Sequence, residues 1–318
     1  MNPALSVVFF TTLAGAGQGL LLALWAAEWS ARHGWIAAPL DPGFATLGAL
    51  LAAALTTAGL LASFLHLGRP ERAWRAATQW RTSWLSREVI VLPGFIGLTL
   101  AYAGAHAAGA GETARWLGAL AALTALILFL CTGMIYACIR FLREWATPLT
   151  PLNFTLFGCA NGLTLAAALS ASRAPALLPF FAVGALGFTL AALAGRLAAW
   201  QRNAALAPKS TPQTAIGIKH PRIEQTAQGF MGGSFNTREF FHGRSAAQLR
   251  ALRGVMAVGA FVLPLALLLL GLNAGASTTA SVALSVAALA QYIGLLAERW
   301  LFFAEARHPQ NLYYQKMA

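Results

Sequence analysis

A histidine, three arginines, a serine and two glutamates fall within two short stretches, Leu65-His66-Leu67-Gly68-Arg69-Pro70-Glu71-Arg72-Ala73-Trp74 and Leu85-Ser86-Arg87-Glu88. Each stretch sits where an apolar run ends or begins, so the charges border a membrane and do not lie within it. A quinone needs an apolar slot for its ring, hydrogen-bond partners for its two carbonyl oxygens, and a group that passes protons. His66 and Glu88 have that chemistry. Imidazole titrates near neutral pH, and a carboxylate half-buried at a membrane border shifts into a useful range. Arg69 or Arg72 is placed to hold the carboxylate or a carbonyl oxygen, and Ser86 completes the set.

The same residues have a plainer reading. Ser86 would cap the helix it begins, and Glu88 in the first turn would complement the positive end of the helix dipole. His66 would bond a free carbonyl in the last turn of the preceding helix. Spacing alone leaves both readings open. A haem needs one or two histidines inside the bundle. His66 and His106 fall near opposite ends of their helices and do not meet on one iron, so haem b is unsupported. His106 reads as an interface residue, and His220, His242 and His308 fall in aqueous or interfacial segments. Cys131, Cys138 and Cys159 lie in apolar stretches without a CxxC pair, so this chain supplies neither a zinc site nor an iron–sulfur cluster.

The chain that must position these groups is 58% hydrophobic and only 10% charged; a soluble domain carries about 25% charged residues. It belongs to the membrane class. A helix needs about 20 apolar residues to cross the hydrocarbon core, and hydropathy predicts spans near 4–28, 43–66, 88–109, 115–140, 152–171, 176–199, 252–272 and 278–303. The expected fold is an all-α integral membrane protein, a bundle of about eight transmembrane helices forming a single membrane domain over 1–318. The first 30 residues lack a basic residue before Arg32, unlike a cleaved secretory signal, and read as a retained helix. Asn2-Pro3, Asp41-Pro42 and Thr150-Pro151 place capping side chains before a proline, and Ser245 with Gln248 reads as a capping box. Ionisable groups deep in lipid are costly and mark ion or proton paths, and almost none are expected here. Gln18, Asn161 and Gln291 are the main polar side chains inside spans, read as helix-to-helix bonds. That argues against a small-solute transporter, which would also be expected to show inverted repeats.

The net charge of +12 is spread over connections and forms no nucleic-acid-binding domain. Arg69, Arg72, Arg75, Arg81, Arg87, Arg140, Arg143, Arg202, Lys209, Lys219, Arg222, Arg238, Arg244 and Arg250 fall on one side, and Arg32, Arg115 and Arg173 on the other. By the positive-inside rule both termini are cytoplasmic, in a multi-pass protein of the inner membrane. The one long connection, 201–250, is expected to be a cytoplasmic loop. It places Phe230, Phe235, Arg238, Glu239, Phe240, Phe241 and His242 among charges, a surface suited to docking an electron-transfer subunit.

At these residues the sequence resembles the DmsC-type membrane anchor subunits of molybdopterin oxidoreductases, over most of its length. The resemblance is carried by Ser63-Phe64-Leu65-His66-Leu67-Gly68-Arg69-Pro70, by Leu85-Ser86-Arg87-Glu88, and by Glu298-Arg299-Trp300-Leu301-Phe302-Phe303. It implies a three-subunit complex: a molybdopterin catalytic subunit, a subunit with iron–sulfur clusters, and an anchor exchanging electrons with ubiquinone or menaquinone. The histidine and glutamate matching His66 and Glu88 belong to the family's quinol site. The opening residues 1–12 and the segment 233–243 look more like the sulfite dehydrogenase type, which implies sulfite oxidation by the partners. A dimethyl sulfoxide reductase-like complex fed by quinol is the alternative.

Overall fold

A computed structural model describes residues 1–207, 210–227, 239–312 and 314. The expected docking residues Phe235 and Arg238, with Phe230, lie outside the described residues. Eight helices are long and apolar enough to cross a membrane, and no strand occurs among the described residues. The spanning helices are α1 (Leu5–Arg32), α2 (Pro42–Phe64), α3 (Trp84–Ala107), α4 (Gly111–Ala137), α5 (Leu149–Arg173), α6 (Leu178–Ala204), α7 (Ala246–Ala274) and α8 (Thr278–Ala304). Each predicted span has its helix, extended by a few residues at most ends. The long connection is correspondingly shorter than expected, 205–245, with a single-turn helix at Pro212–Ile216.

α1 lies at the centre, against α2, α4, α5 and α8. Its contact with α5 is made by glycines one turn apart. A Cβ on Gly19 would overlap the Gly158 carbonyl, and one on Gly162 would overlap the Gly19–Leu20 backbone. Small residues at this spacing let helices meet backbone to backbone, which replaces the hydrophobic drive that lipid does not provide. α7 meets α8 in the same way through Gly259 and Gly294. There α7 passes through a π-helical segment, Val258–Val262, next to Pro264, which lacks the N–H that would bond the Ala260 carbonyl. The outward face of α4 carries Trp116, Leu120, Leu123, Ile127 and Leu130, all exposed. This apolar stripe at helical spacing suits lipid and not water.

The helix starts agree with the sequence in part. Asp41 accepts from the Phe44 N–H at 2.8 Å, and Ser245 and Gln248 form the reciprocal capping box. Asn2 caps nothing, because α1 begins after Ala4 without a side-chain cap. Thr150 lies within the first turn of α5, and its hydroxyl donates to the Trp145 carbonyl at 2.8 Å. The cause is the segment 138–148, which folds into turns that feed directly into α5. α3 starts three residues earlier than a cap at Ser86 requires: Ser83 is the cap and accepts from the Ser86 N–H.

Gly162→Val tests the α1–α5 contact. Its side chain has nowhere to go without separating two backbones, so we expect folded protein in detergent to fall sharply, with a loss of about 1–3 kcal/mol or more. Thermal melting of the purified chain measures it, and Gly94→Ala, on an open face of α3, is the tolerated control.

Candidate functional site

One end of the bundle carries Met1, the connections 65–83, 138–148 and 205–245, and the stretch after α8. Nearly all connecting arginines lie there, so we call it the basic end. Arg32, Arg115 and Arg173 lie at the other.

His66 lies just past α2 and is exposed, flanked by Phe64, Leu65 and Leu67, which are exposed as well. Its Nδ1 shares a hydrogen bond with Ser6 Oγ on α1 at 3.3 Å, which fixes the ring and leaves Nε2 directed away from that contact. Glu88 lies in the second turn of α3 and is buried, and its Oε1 accepts from the Thr132 hydroxyl of α4. Ser86 is buried on the same helix. The plain reading of Glu88 as a surface dipole partner therefore fails: the carboxylate faces a neighbouring helix. The basic end thus carries an imidazole tethered among apolar side chains and a buried carboxylate with one hydroxyl donor.

The two arginines lie at the surface. Arg69 and Arg72 are exposed, and Arg72 lies 3.8 Å from Glu71, whereas Glu88 is bonded to Thr132. Arg69 precedes, and Arg72 lies within, a 3₁₀ helix, Pro70–Gln79, that has no buried residue.

The docking segment also differs from expectation. Glu239 is exposed, and its carbonyl accepts from the Asn2 N–H at 2.7 Å. Phe240 stacks on His308 with ring centres 4.0 Å apart, Phe241 meets Tyr314, and His242 meets Trp300. The aromatic side chains 240–242 are thus half-buried against their own chain. They border an open cleft of about 830 Å³ that also reaches Met1, Glu144, Arg253 and Glu305.

Beneath the cleft lies a charge cluster that hydropathy does not reveal. Arg196 of α6 is buried and lies 3.5 Å from Glu298 and 3.2 Å from Glu305. Arg299 is buried too, 3.4 Å from Glu298, with its guanidinium 3.6 Å above the Phe154 ring. The expectation of an interior almost free of ionisable groups is therefore wrong. The available signal was complementarity: one span carries a lone Arg196, another carries the adjacent Glu298 and Arg299, each near the same end. At the opposite end His106 is buried, not interfacial. Its Nε2 lies 3.7 Å from Glu28 Oε1, and the Tyr102 hydroxyl donates to Glu28 Oε2 at 2.8 Å. The inner amides behave unevenly: Gln291 donates to Thr189 across α8 and α6 at 2.9 Å, whereas both amide atoms of Asn161 are buried without a partner. The three cysteines are free, and among the described residues no group of three or more His, Cys, Asp or Glu is arranged to hold a metal.

Eight apolar helices around an α1–α5 core, with the polar groups at their ends, define a multi-pass membrane subunit. The family model for the DMSO reductase anchor subunit (DmsC) matches residues 1–304, and the chain belongs to that family. It is 52% identical over 330 residues to a subunit of the sulfite dehydrogenase of Allochromatium vinosum, covering 100% of both chains. The chain is accordingly a membrane anchor subunit of a multi-subunit molybdoenzyme, with catalytic and electron-transfer partners.

The histidines that pack at residues 240–242 give an expected dependence on pH. Burial first, and then the charge of the N-terminal ammonium, hold His242 and His308 below the ordinary imidazole range; Arg244 adds to the effect at His242. Groups depressed in this way favour the packed state above the ordinary value of about 6.5 and oppose it as pH falls through their lowered values. We expect proteolysis in 205–245 to be slow at about pH 7.5 and faster at about pH 5.5. His308→Phe, which keeps the stack on Phe240, should reduce the difference, as read from the cleavage rate on gels.

Proposed function

We propose that this chain is the quinone-reactive anchor of a sulfite-oxidising enzyme. In this reading the partners oxidise sulfite at a molybdopterin centre, pass electrons through iron–sulfur clusters, and deliver them to quinone beside His66 and Glu88. The observation that carries the reading is the pair of tethers: His66 held by Ser6 and Glu88 held by Thr132, each from a different helix and both at the basic end. Such preorganisation is what a proton-exchanging site requires. The bound quinone supplies the redox chemistry. His66 and Glu88 bind its oxygens and give up protons as electrons arrive, and the apolar residues 64, 65 and 67 seat the ring. The sulfite substrate rests on the 52% identity to a sulfite dehydrogenase subunit.

Charge sets the orientation in this reading. The basic end is cytoplasmic, the chain sits in the inner membrane, and the soluble partners dock on the cytoplasmic side. This chain contributes no sulfur chemistry of its own.

Two measurements test the proposal. In assembled complex, Glu88→Gln and His66→Ala should each lower quinone-linked sulfite oxidation by roughly a hundredfold, while sulfite oxidation with an artificial acceptor stays at its original rate; unaltered quinone rates in both variants would sink the site. A reporter fused after Ala318 should be active in the cytoplasm, and a periplasmic signal would overturn the orientation.

A further inference from the structure

Between His66 and Glu88 the chain runs across the basic end as a strip, Pro70–Arg87, that rests on little of its own protein. Its 3₁₀ helix Pro70–Gln79 has no buried residue. Trp74 is 66% exposed and Trp80 is 53% exposed. Three tryptophans each have an arginine over the ring: Arg75 on Trp74 at 5.6 Å, Arg81 on Trp80 at 5.4 Å, and Arg87 on Trp84 at 4.2 Å. Arg87 also ties the strip down, donating to the carbonyls of Trp80 and Arg81, both at 2.9 Å. The strip is thus aromatic and basic, with five arginines from Arg69 to Arg87 against the single acid Glu71 before Glu88, and the Arg87 bonds hold its second half to the start of α3.

We propose that this strip is the docking surface for the enzyme's electron-transfer subunit, through an acidic face of that partner. The inference rests on the quinone reading of His66 and Glu88 and extends it. Electron transfer slows steeply with distance, so the cluster-bearing partner has to sit close to the quinone, and the strip is the segment of chain that joins the two quinone residues. Tryptophan and arginine are the side chains that carry most binding energy at protein interfaces, and a strip already held in place loses little freedom on binding. The segment 240–242, the other aromatic group at this end, has its rings turned against His308, Tyr314 and Trp300 and is less available. Charge supplies the partner's chemistry: a strongly basic strip selects an acidic counterpart and repels a basic one.

The test uses the whole complex in detergent. Hydroxyl-radical labelling of Trp74 and Trp80 should fall several-fold in the complex relative to the anchor separated from its partners, while Trp116, at the other end, labels equally in both. The double substitution Arg75→Glu with Arg81→Glu, and separately Trp80→Ala, should weaken retention of the electron-transfer subunit roughly ten- to a hundredfold, the range of interface hot spots. Retention is read by co-purification on a tag carried by the anchor. These side chains are exposed, so the anchor should elute unchanged. Full retention in both variants with unaltered labelling would overturn the proposal. So would labelling that falls only when the anchor alone is placed in vesicles of anionic lipid, which would assign the strip to headgroups. Failure of the quinone reading looks different: Glu88→Gln complex would then keep its quinone-linked rate, while Trp74 and Trp80 would still be shielded in the complex and the strip variants would still lose the subunit.

Discussion

Two backbones in direct contact organise this molecule. In hydrocarbon no water is expelled when helices meet, so they associate through packing and internal hydrogen bonds, and the Gly19–Gly158–Gly162 crossing gives α1 and α5 their closest approach. α1 then holds α2 and α4 on one side, while α5 holds α6 and α8 on the other. The first group carries the His66 and Glu88 tethers, and the second carries the buried arginine and glutamate cluster. Without the crossing, each half would keep its helices but the basic end would have no common surface.

The buried cluster imposes a second constraint. Moving an ion out of water costs several kcal/mol even after relaxation, so Arg196, Glu298 and Arg299 are tolerable only together. Glu298 lies within 3.5 Å of both arginines, the Phe154 ring faces Arg299, and Arg196 reaches Glu305 at the cleft. The cost is offset by specificity of assembly: α6 and α8 have one register in which these charges meet. The glycine crossing sets how near α1 and α5 lie, and the charges favour one register between α6 and α8.

Most of the fold was legible because lipid simplifies the problem. Eight apolar runs of sufficient length leave helices as the answer, and the arginine asymmetry sorts the ends. His66 and Glu88 stood out because both sit at a membrane border among arginines. What stayed hidden was pairwise. The tethers from Ser6 and Thr132 belong to helices distant in sequence, and their hydroxyls look like ordinary small polar residues in apolar runs. Arg72 lies in a 3₁₀ helix that Pro70 starts and no periodicity reveals. The aromatic segment 240–242 looked free because its partners, His308 and Trp300, lie some sixty residues further along.

The acids of the basic end divide by their partners, and the division bears on which of them does chemistry. Glu298 and Glu305 are each within ion-pair distance of two arginines. Glu88 is as deeply buried as Glu298, but its partner is the neutral hydroxyl of Thr132, and it has no ion pair among the described residues. A carboxylate held by cations builds structure, and a carboxylate held by a hydroxyl is free to gain and lose a proton. The same burial therefore serves two ends, with the partner deciding between them. The Glu88 environment, with a hydroxyl and, among the described residues, no cation paired with it, is the one that suits the proton exchange proposed for the quinone site.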